Sequence, residues 1–217
     1  MNHAATTASS GGVLICFAVN EEAKPFRGTT AFQRATILIT GMGEQNADRE
    51  LRKFLMTIRP QLILTCGFAG GLNSTLPTGA VLFSADENNL TQHLLAAGAT
   101  PATFFCAKRV AITANEKSEL RSRTKADAVE MESGVIRRIA QECGIPSATI
   151  RVISDAANED LPLDFNSLMT PQSEIDLSKL ILSLLLKPWK IPALLRLQKK
   201  TRNAAENLSR VLDSLPI

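Results

Sequence analysis

The chain has 217 residues, 45% of them hydrophobic and 21% charged, with a formal net charge of +3. That length suits one domain, or a domain with an appendage, and the composition excludes a wholly disordered chain. So small a net charge gives no reason to expect a nucleic-acid partner. The charge is uneven: residues 187–217 hold seven basic side chains against Glu206 and Asp213, a net +5, and the remainder is mildly acidic at −2.

Two histidines, His3 and His93, are too few for a His-rich metal site or most catalytic triads, and no metal is expected. Cys16, Cys66, Cys106 and Cys143 lie far apart with no CxxC pair, and three sit in apolar runs. Free thiols in a reducing compartment, the cytoplasm, are the expectation. Residues 1–12 are small and polar and read as a flexible leader, without the charged start and apolar stretch of a signal peptide. The longest apolar run, 180–186, is interrupted by Ser183 and is too short to span a bilayer.

Residues 13–19 form a continuous apolar run ending in Asn20-Glu21-Glu22, as a strand buried on both faces would. A second such run, 36–40, ends in Gly41-Met42-Gly43. Ala47, Leu51, Phe54, Leu55 and Ile58 then recur at helical spacing until Pro60. Residues 61–66 predict a third strand, ending in the glycine-rich stretch 67–71. Residues 80–84 predict a fourth, after the turn Pro77-Thr78-Gly79, and 109–113 a short fifth, followed by a helix over 115–123. Ala128-Val129 lead as a strand into Glu130-Met131-Glu132. The next helix should bury Val135, Ile136, Ile139, Ala140 and Cys143, with Gly144 past its end and Pro146 beyond. Residues 148–153 form the last strand, ending in Ser154-Asp155.

This alternation predicts an α/β domain over 13–186: three layers, αβα, around a central mixed sheet that is mainly parallel. Residues 187–217 read as a basic helical tail, packed on the domain or appended to it. Its Trp189, Ile191, Leu194, Leu195 and Leu197 among lysines and arginines allow two readings. One is peripheral contact with an anionic membrane; the other is an ordinary C-terminal helix with its leucines on the body.

In open α/β sheets, ligands bind outside the carboxyl ends of the strands. Every polar or glycine-rich feature above follows a strand, so they should converge on one cleft. Glu22, Glu130, Glu132 and Asp155 are the main signal, because a buried carboxyl group serves as general acid, base or sugar-hydroxyl acceptor. Alone, Asp155 also reads as a helix cap, Glu132 as a first-turn residue and Glu22 as a solvated loop residue. Gathered on one edge, they read as chemistry. Gly67 is expected to face a ligand, whereas Gly70 and Gly71 fit a tight turn equally well. Gly41-Met42-Gly43 is no dinucleotide fingerprint, since Asn46 stands where the third glycine belongs.

Residues 13–23, Ile39-Thr-Gly-Met-Gly43 with Asn46-Ala47, Thr65-Cys-Gly-Phe-Ala-Gly-Gly-Leu72, Ala128-Val-Glu-Met-Glu132 and Arg151-Val-Ile-Ser-Asp155 together resemble the purine nucleoside phosphorylase superfamily. Among its branches, the methylthioadenosine/S-adenosylhomocysteine nucleosidases look most similar in these signatures. The resemblance covers roughly residues 13–160. It implies cleavage of an N-glycosidic bond of a purine, adenosyl-type nucleoside, with no organic cofactor and with a homo-oligomer, often a dimer. Asp155 would be the general acid at the base, Glu22 would orient or deprotonate the attacking water, and Glu132 would hold the ribose hydroxyls. Met131 would pack on the sugar, and Glu130, Gly67, Phe68, Gly43 and Ser154 would complete the substrate site. Thr65-Cys66 stand where phosphorolytic members usually carry an arginine for phosphate, so phosphate as co-substrate stays open, with Arg34 or Arg109 as substitutes. Residues 110–115 offer no aromatic ring to stack on adenine, which leaves Phe68, Phe104 or Phe105, or a more open pocket.

In the tail, Leu161-Pro162, Ile175-Asp-Leu177, Ser183-Leu184, Pro188 and Pro192-Ala-Leu-Leu-Arg-Leu197, with Lys117 and Leu120 upstream, resemble the hopanoid-associated phosphorylases. That resemblance implies a lipid-linked adenosyl nucleoside as substrate. The alternatives are a methylthioadenosine/S-adenosylhomocysteine nucleosidase and a non-catalytic nucleoside-binding member of the fold.

Overall fold

The computed structural model describes residues 10–170 and 176–216. The expected leader up to residue 9, with His3, and the tail position Ile175 lie outside them. Among the described residues eight strands are formed: β1 (Ser10–Phe17), β2 (Ala35–Ile39), β3 (Arg59–Gly71), β4 (Val81–Ala85), β5 (Thr100–Pro101), β6 (Phe104–Cys106), β7 (Ala128–Glu130) and β8 (Ser147–Asp155). They make one sheet in the order β2-β1-β3-β8-β4-β5, with β7 pairing both β3 and β6. β1 runs parallel to β2 and β3, and β3 parallel to β8. β4 is antiparallel to β8, and β7 to β3, which makes the sheet mixed.

Pleating sends alternate side chains to opposite faces, so each central strand feeds two cores. From β1, Ile15 and Phe17 join a cluster with Leu90 and Leu94 of α3 (Asn88–Ala96) and Leu208 and Leu212 of the last helix. Leu14 and Cys16 point the other way, against Ala47 and Leu51 of α2 (Glu44–Leu55) and Val135, Ile136 and Ile139 of a helix over Ser133–Glu142. Helices thus cover both faces, giving the three layers expected. In chain order the remaining helices are α1 (Asn20–Ala23), α4 (Ala114–Thr124), α5 (Ser133–Glu142), α6 (Phe165–Leu168), α7 (Leu177–Leu186) and α8 (Ile191–Asp213).

Three expectations are corrected. Pairing begins earlier than residue 13, with Ser10 against Arg59 and Gly11 against Pro60. β3 does not stop at Cys66 but continues through its glycines, because Gly67 pairs with Arg151 while Gly70 and Gly71 pair with Val129 and Ala128. Residues 109–113 are not a strand: side chains replace a ladder partner there, with Val110 N donating to Asn166 Oδ1 (2.9 Å) and Ile112 N to Glu116 Oε2 (2.8 Å).

The basic C-terminal segment has two characters. The later part of α8 buries Ala204, Ala205, Leu208, Val211 and Leu212 against the sheet. Its start, with α7, leaves Ile181, Leu182, Leu185, Leu186, Trp189, Ile191 and Leu195 exposed. Leu208→Ala should therefore cost about 2–5 kcal/mol of stability, whereas Leu195→Ala should change it by no more than about 0.5 kcal/mol. Urea unfolding of the two variants checks the difference.

Candidate active site

One cleft opens over the carboxyl ends of β1, β3, β7 and β8. Glu22, Phe68, Gly70, Glu130, Met131, Glu132, Ser154 and Asp155 line it, together with Arg109, Phe165 of α6 and Leu197 and Thr201 of α8. The four carboxylates expected to share a hollow do so.

Glu22 is no solvated loop residue. It sits in the single turn of α1, is 4% exposed, and its carboxylate is caught by backbone on both sides. Oε2 accepts from Ala18 N (2.9 Å) and Val19 N (3.1 Å), and Oε1 accepts from Phe68 N (2.7 Å). Burial outweighs these bonds and the nearby Arg151, and pushes its pKa up to about 7. The folded state therefore binds this proton more tightly than the unfolded chain. The residue's contribution to stability declines as pH rises from the ordinary carboxylate range toward 7.

Arg151, in the middle of β8 and 1% exposed, anchors Glu130 and Glu132. Its Nη2 donates to Glu130 Oε2 (2.6 Å) and Thr65 Oγ1 (3.1 Å) and lies 3.3 Å from Glu132 Oε2. Glu130 also accepts from Ser133 N, Ser133 Oγ and Glu132 N. Burial raises its pKa, but Arg151 and these donors prevail and hold it below the usual carboxylate value. Glu132 is raised instead, by burial first and by the neighbouring Glu130 charge. A saturated anion beside a more basic one divides the labour: Glu130 fixes the arginine, and Glu132 is the freer acceptor.

Two glycines singled out for the ligand serve the protein instead. Neither Gly43 nor Gly67 lines the cleft. Gly43, at φ 84°, donates its N–H to Glu132 Oε1 at 2.9 Å. Gly67, at φ 150°, leaves room for the charges beside it: a Cβ there would stand 2.5 Å from Glu22 Oε1 and 2.7 Å from Arg151 Nη1. Gly70 does line the cleft and Gly71 does not.

Asp155 is the last residue of β8 and caps no helix. The β3–β8 register shifts between Ala69 and Gly70, which pair with Ile153 and Asp155, so Ser154 is the extra residue of a bulge. Ser154 Oγ donates to Asp155 Oδ1 (2.6 Å). Lys117 Nζ of α4 lies 2.5 Å from Asp155 Oδ2.

Of the aromatic residues weighed for stacking, Phe68 lines the cleft, whereas Phe104 and Phe105 pack into satellite cores. Phe165 lines it without having been anticipated. Of the two candidate phosphate arginines, Arg109 lines the cleft and is paired with Glu116; Arg34 is not among the lining residues. Among the described residues, no cluster of His, Cys, Asp or Glu is arranged to hold a metal ion. Gly67→Ala should cost about 2 kcal/mol or more, from steric conflict together with left-handed backbone. Gly98→Ala, also at positive φ but with nothing within 4 Å of its Cβ, should cost only about 1 kcal/mol. Thermal melts of the two compare crowding with backbone strain.

The family model described as "Phosphorylase superfamily" matches residues 7–107 and 100–186. A 5′-methylthioadenosine/S-adenosylhomocysteine nucleosidase of Shewanella sp. (strain W3-18-1) is 26% identical over 175 residues, covering 64% of this chain and 76% of that protein. The nucleosidase of the same description from Glaesserella parasuis is 24% identical over 183 residues, covering 69% and 79%. Among solved structures, the Helicobacter pylori 5′-methylthioadenosine/S-adenosylhomocysteine nucleosidase with butyl-thio-DADMe-Immucillin-A superposes with a TM-score of 0.68 at 17% identity, over 95% of this chain and 100% of that one. Futalosine hydrolase of the same organism gives 0.65 at 17% identity, over 94% and 98%. The likeness of the solved structures extends to the fold, and the family match spans most of the sequence: the chain belongs to the Phosphorylase superfamily.

Proposed function

We propose that the protein is an enzyme that cleaves the N-glycosidic bond of an adenosyl-type purine nucleoside and releases adenine. The observation that carries this reading is the gathering of Glu22, Glu132 and Asp155, all nearly buried, on the rim of one cleft. Breaking this bond leaves cationic character on the sugar and negative charge on the base, so it needs anions near the one and an acid at the other. Asp155 protonates the departing base at N7, and Ser154 orients its carboxyl group. Glu132 accepts hydrogen bonds from the ribose hydroxyls, and Met131 packs on the sugar. Glu22 takes the proton of the attacking water. Phe68 and Phe165 are the aromatic rings available to the base.

Water is the acceptor we favour over phosphate. Arg109 is the one basic residue lining the cleft and is already engaged by Glu116, while four acidic residues line the same space. A phosphate dianion would meet repulsion there. Adenine release from 5′-substituted adenosines, measured with and without phosphate, tests the reaction. Phosphate dependence with ribose-1-phosphate formation would establish phosphorolysis instead. Glu22 acts as base only when ionised, so turnover should climb as pH rises through about 7. Glu22→Gln and Asp155→Asn should each lower release by roughly 10²–10⁴-fold while leaving the melting curve cooperative. Wild-type rates in Asp155→Asn would contradict the assignment.

The finer reading is a nucleoside bearing a bulky apolar substituent on its ribose, of the hopanoid-linked kind. A groove between α1 and α8, lined by Phe68, Leu195, Lys199 and Thr201 among others, adjoins the cleft and shares Phe68 and Thr201 with it. Its Leu195 belongs to the apolar residues left exposed at the start of α8. We place the enzyme in the cytoplasm as a homodimer that makes peripheral contact with an anionic membrane through this surface. Residues 177–205 contain seven basic and no acidic side chains, around exposed Leu185, Leu186 and Trp189. No helix of the described residues is long and apolar enough to cross a membrane, so the contact would lie along the surface. The protein should sediment with phosphatidylglycerol-containing vesicles at low salt and less so at moderate salt. The double variant Leu185→Glu, Trp189→Glu should stay in the supernatant; wild-type protein remaining there at low salt would exclude the contact.

A further inference from the structure

Lys117 is one of the largest fully buried side chains of the protein, at 0% exposure. A buried lysine is rare unless every donor finds an acceptor. Two donors of its ammonium meet Ala156 O at 2.9 Å and Glu159 O at 2.8 Å, and Nζ forms an ion pair with a third oxygen, Asp155 Oδ2, at 2.5 Å. The first two are backbone carbonyls of the turn after β8; the third is the acid of the proposed reaction. This leaves a chemical difficulty. Asp155 must deliver a proton, and its buried Oδ2 faces the Lys117 ammonium rather than solvent.

We propose that Lys117 is a positioning residue that resolves this by supplying the proton through Asp155. The inference rests on the reading of Asp155 as general acid. Nζ and Oδ2 are close enough for a proton to pass between them. As the base departs, Oδ2 takes a proton from the Lys117 ammonium, the N–H bond breaking as the O–H bond forms. The carboxyl group so formed delivers a proton to N7, and Asp155 ends as a carboxylate. The neutral amine left behind regains its proton from solvent once the base has left. No other reactant is needed, and with Lys117 fully buried the neutral pair is not penalised as separated charges would be. The other charges facing the pair are already committed: the Glu159 carboxylate is engaged by Lys200 of α8, and Glu116, beside Lys117 on α4, is engaged by Arg109.

An isolated carboxyl group is protonated only in acid, whereas a proton shared with an amine is retained far into the alkaline range. The test is the pH profile of adenine release for wild type, Lys117→Gln and Lys117→Arg. Glutamine keeps donors for the two carbonyls, and arginine keeps the charge but does not give up a proton. Once Glu22 is ionised, above about pH 7, both variants should turn over more slowly than wild type, with a KM close to wild type, and the loss should grow as pH rises. Their alkaline half-point should fall by roughly one pH unit or more, a tenfold change in the protonated fraction. The proposal is overturned if Lys117→Arg restores the wild-type profile, or if the alkaline limb of either variant stays in place or moves up. Should the variants fail to fold, wild-type protein alone decides: a profile that falls away within the acid range overturns the proposal, and sustained alkaline activity supports it. Asp155→Asn separates the two levels. If it retains turnover, the general-acid reading fails; if it is inactive while Lys117→Gln keeps the wild-type profile, only the role of Lys117 fails.

Discussion

The site depends on one guanidinium placed where a sheet normally carries apolar side chains. Arg151 stands at 1% exposure in a strand whose residues are all buried, and it is tolerable there only because carboxylates surround it. The dependence is mutual. Removing Arg151 would leave Glu130 and Glu132 buried without a counter-charge, and removing both glutamates would strand the arginine. With Glu22 nearby, the anions outnumber this cation. Burial first, and the neighbouring carboxylates second, make Glu22 and Glu132 hold protons more tightly than ordinary carboxylates, whereas Arg151 and the Ser133 and Glu132 donors hold Glu130 below that range. The constraint reaches into the backbone: Gly67 has no side chain because Glu22 and Arg151 occupy the volume a methyl group would need.

Much of this was legible in the sequence. Apolar runs at 13–19, 36–40 and 148–153 located three parallel strands. The helix burying Val135, Ile136, Ile139 and Ala140 follows from period alone. Glu22 and Asp155 led to the cleft because the parallel strands β1 and β8 end on one edge, while Glu130 and Glu132 reach it from β7, which runs antiparallel along the extended end of β3. Other features were hidden for physical reasons. The glycine-rich end of β3 looks like a turn locally; only pairing with β7 and β8, both distant in sequence, keeps it extended. Residues 109–113 have strand-like composition, but Asn166 and Glu116 take the backbone donors that a ladder would use. The roles of Gly43 and Gly67 were misjudged because the groups that crowd or use them come from α1, β8 and the start of α5.

The cations tell the same story in two degrees. Arg151 interrupts an apolar run, and a charge in such a place signals buried partners; the sequence carried that sign. Lys117 stands in a helix rich in charged residues, Glu116, Glu119, Arg121 and Arg123 among them. Nothing in that pattern separates the fully buried member from its solvated neighbours. Its distinction comes from the docking of α4 against the turn that follows β8.

The bulge at Ser154 bears on how such a cleft is assembled. Strict alternation along a strand sends neighbouring side chains to opposite faces, and only one of Ser154 and Asp155 would then reach the cleft. The extra residue breaks that parity, and both line it. The hydroxyl that steadies the acid and the acid itself thus issue from consecutive positions on a single rigid rail. Deleting Ser154 would heal the ladder at the cost of the hydroxyl itself, so an irregularity in pairing is what makes the two functional groups neighbours.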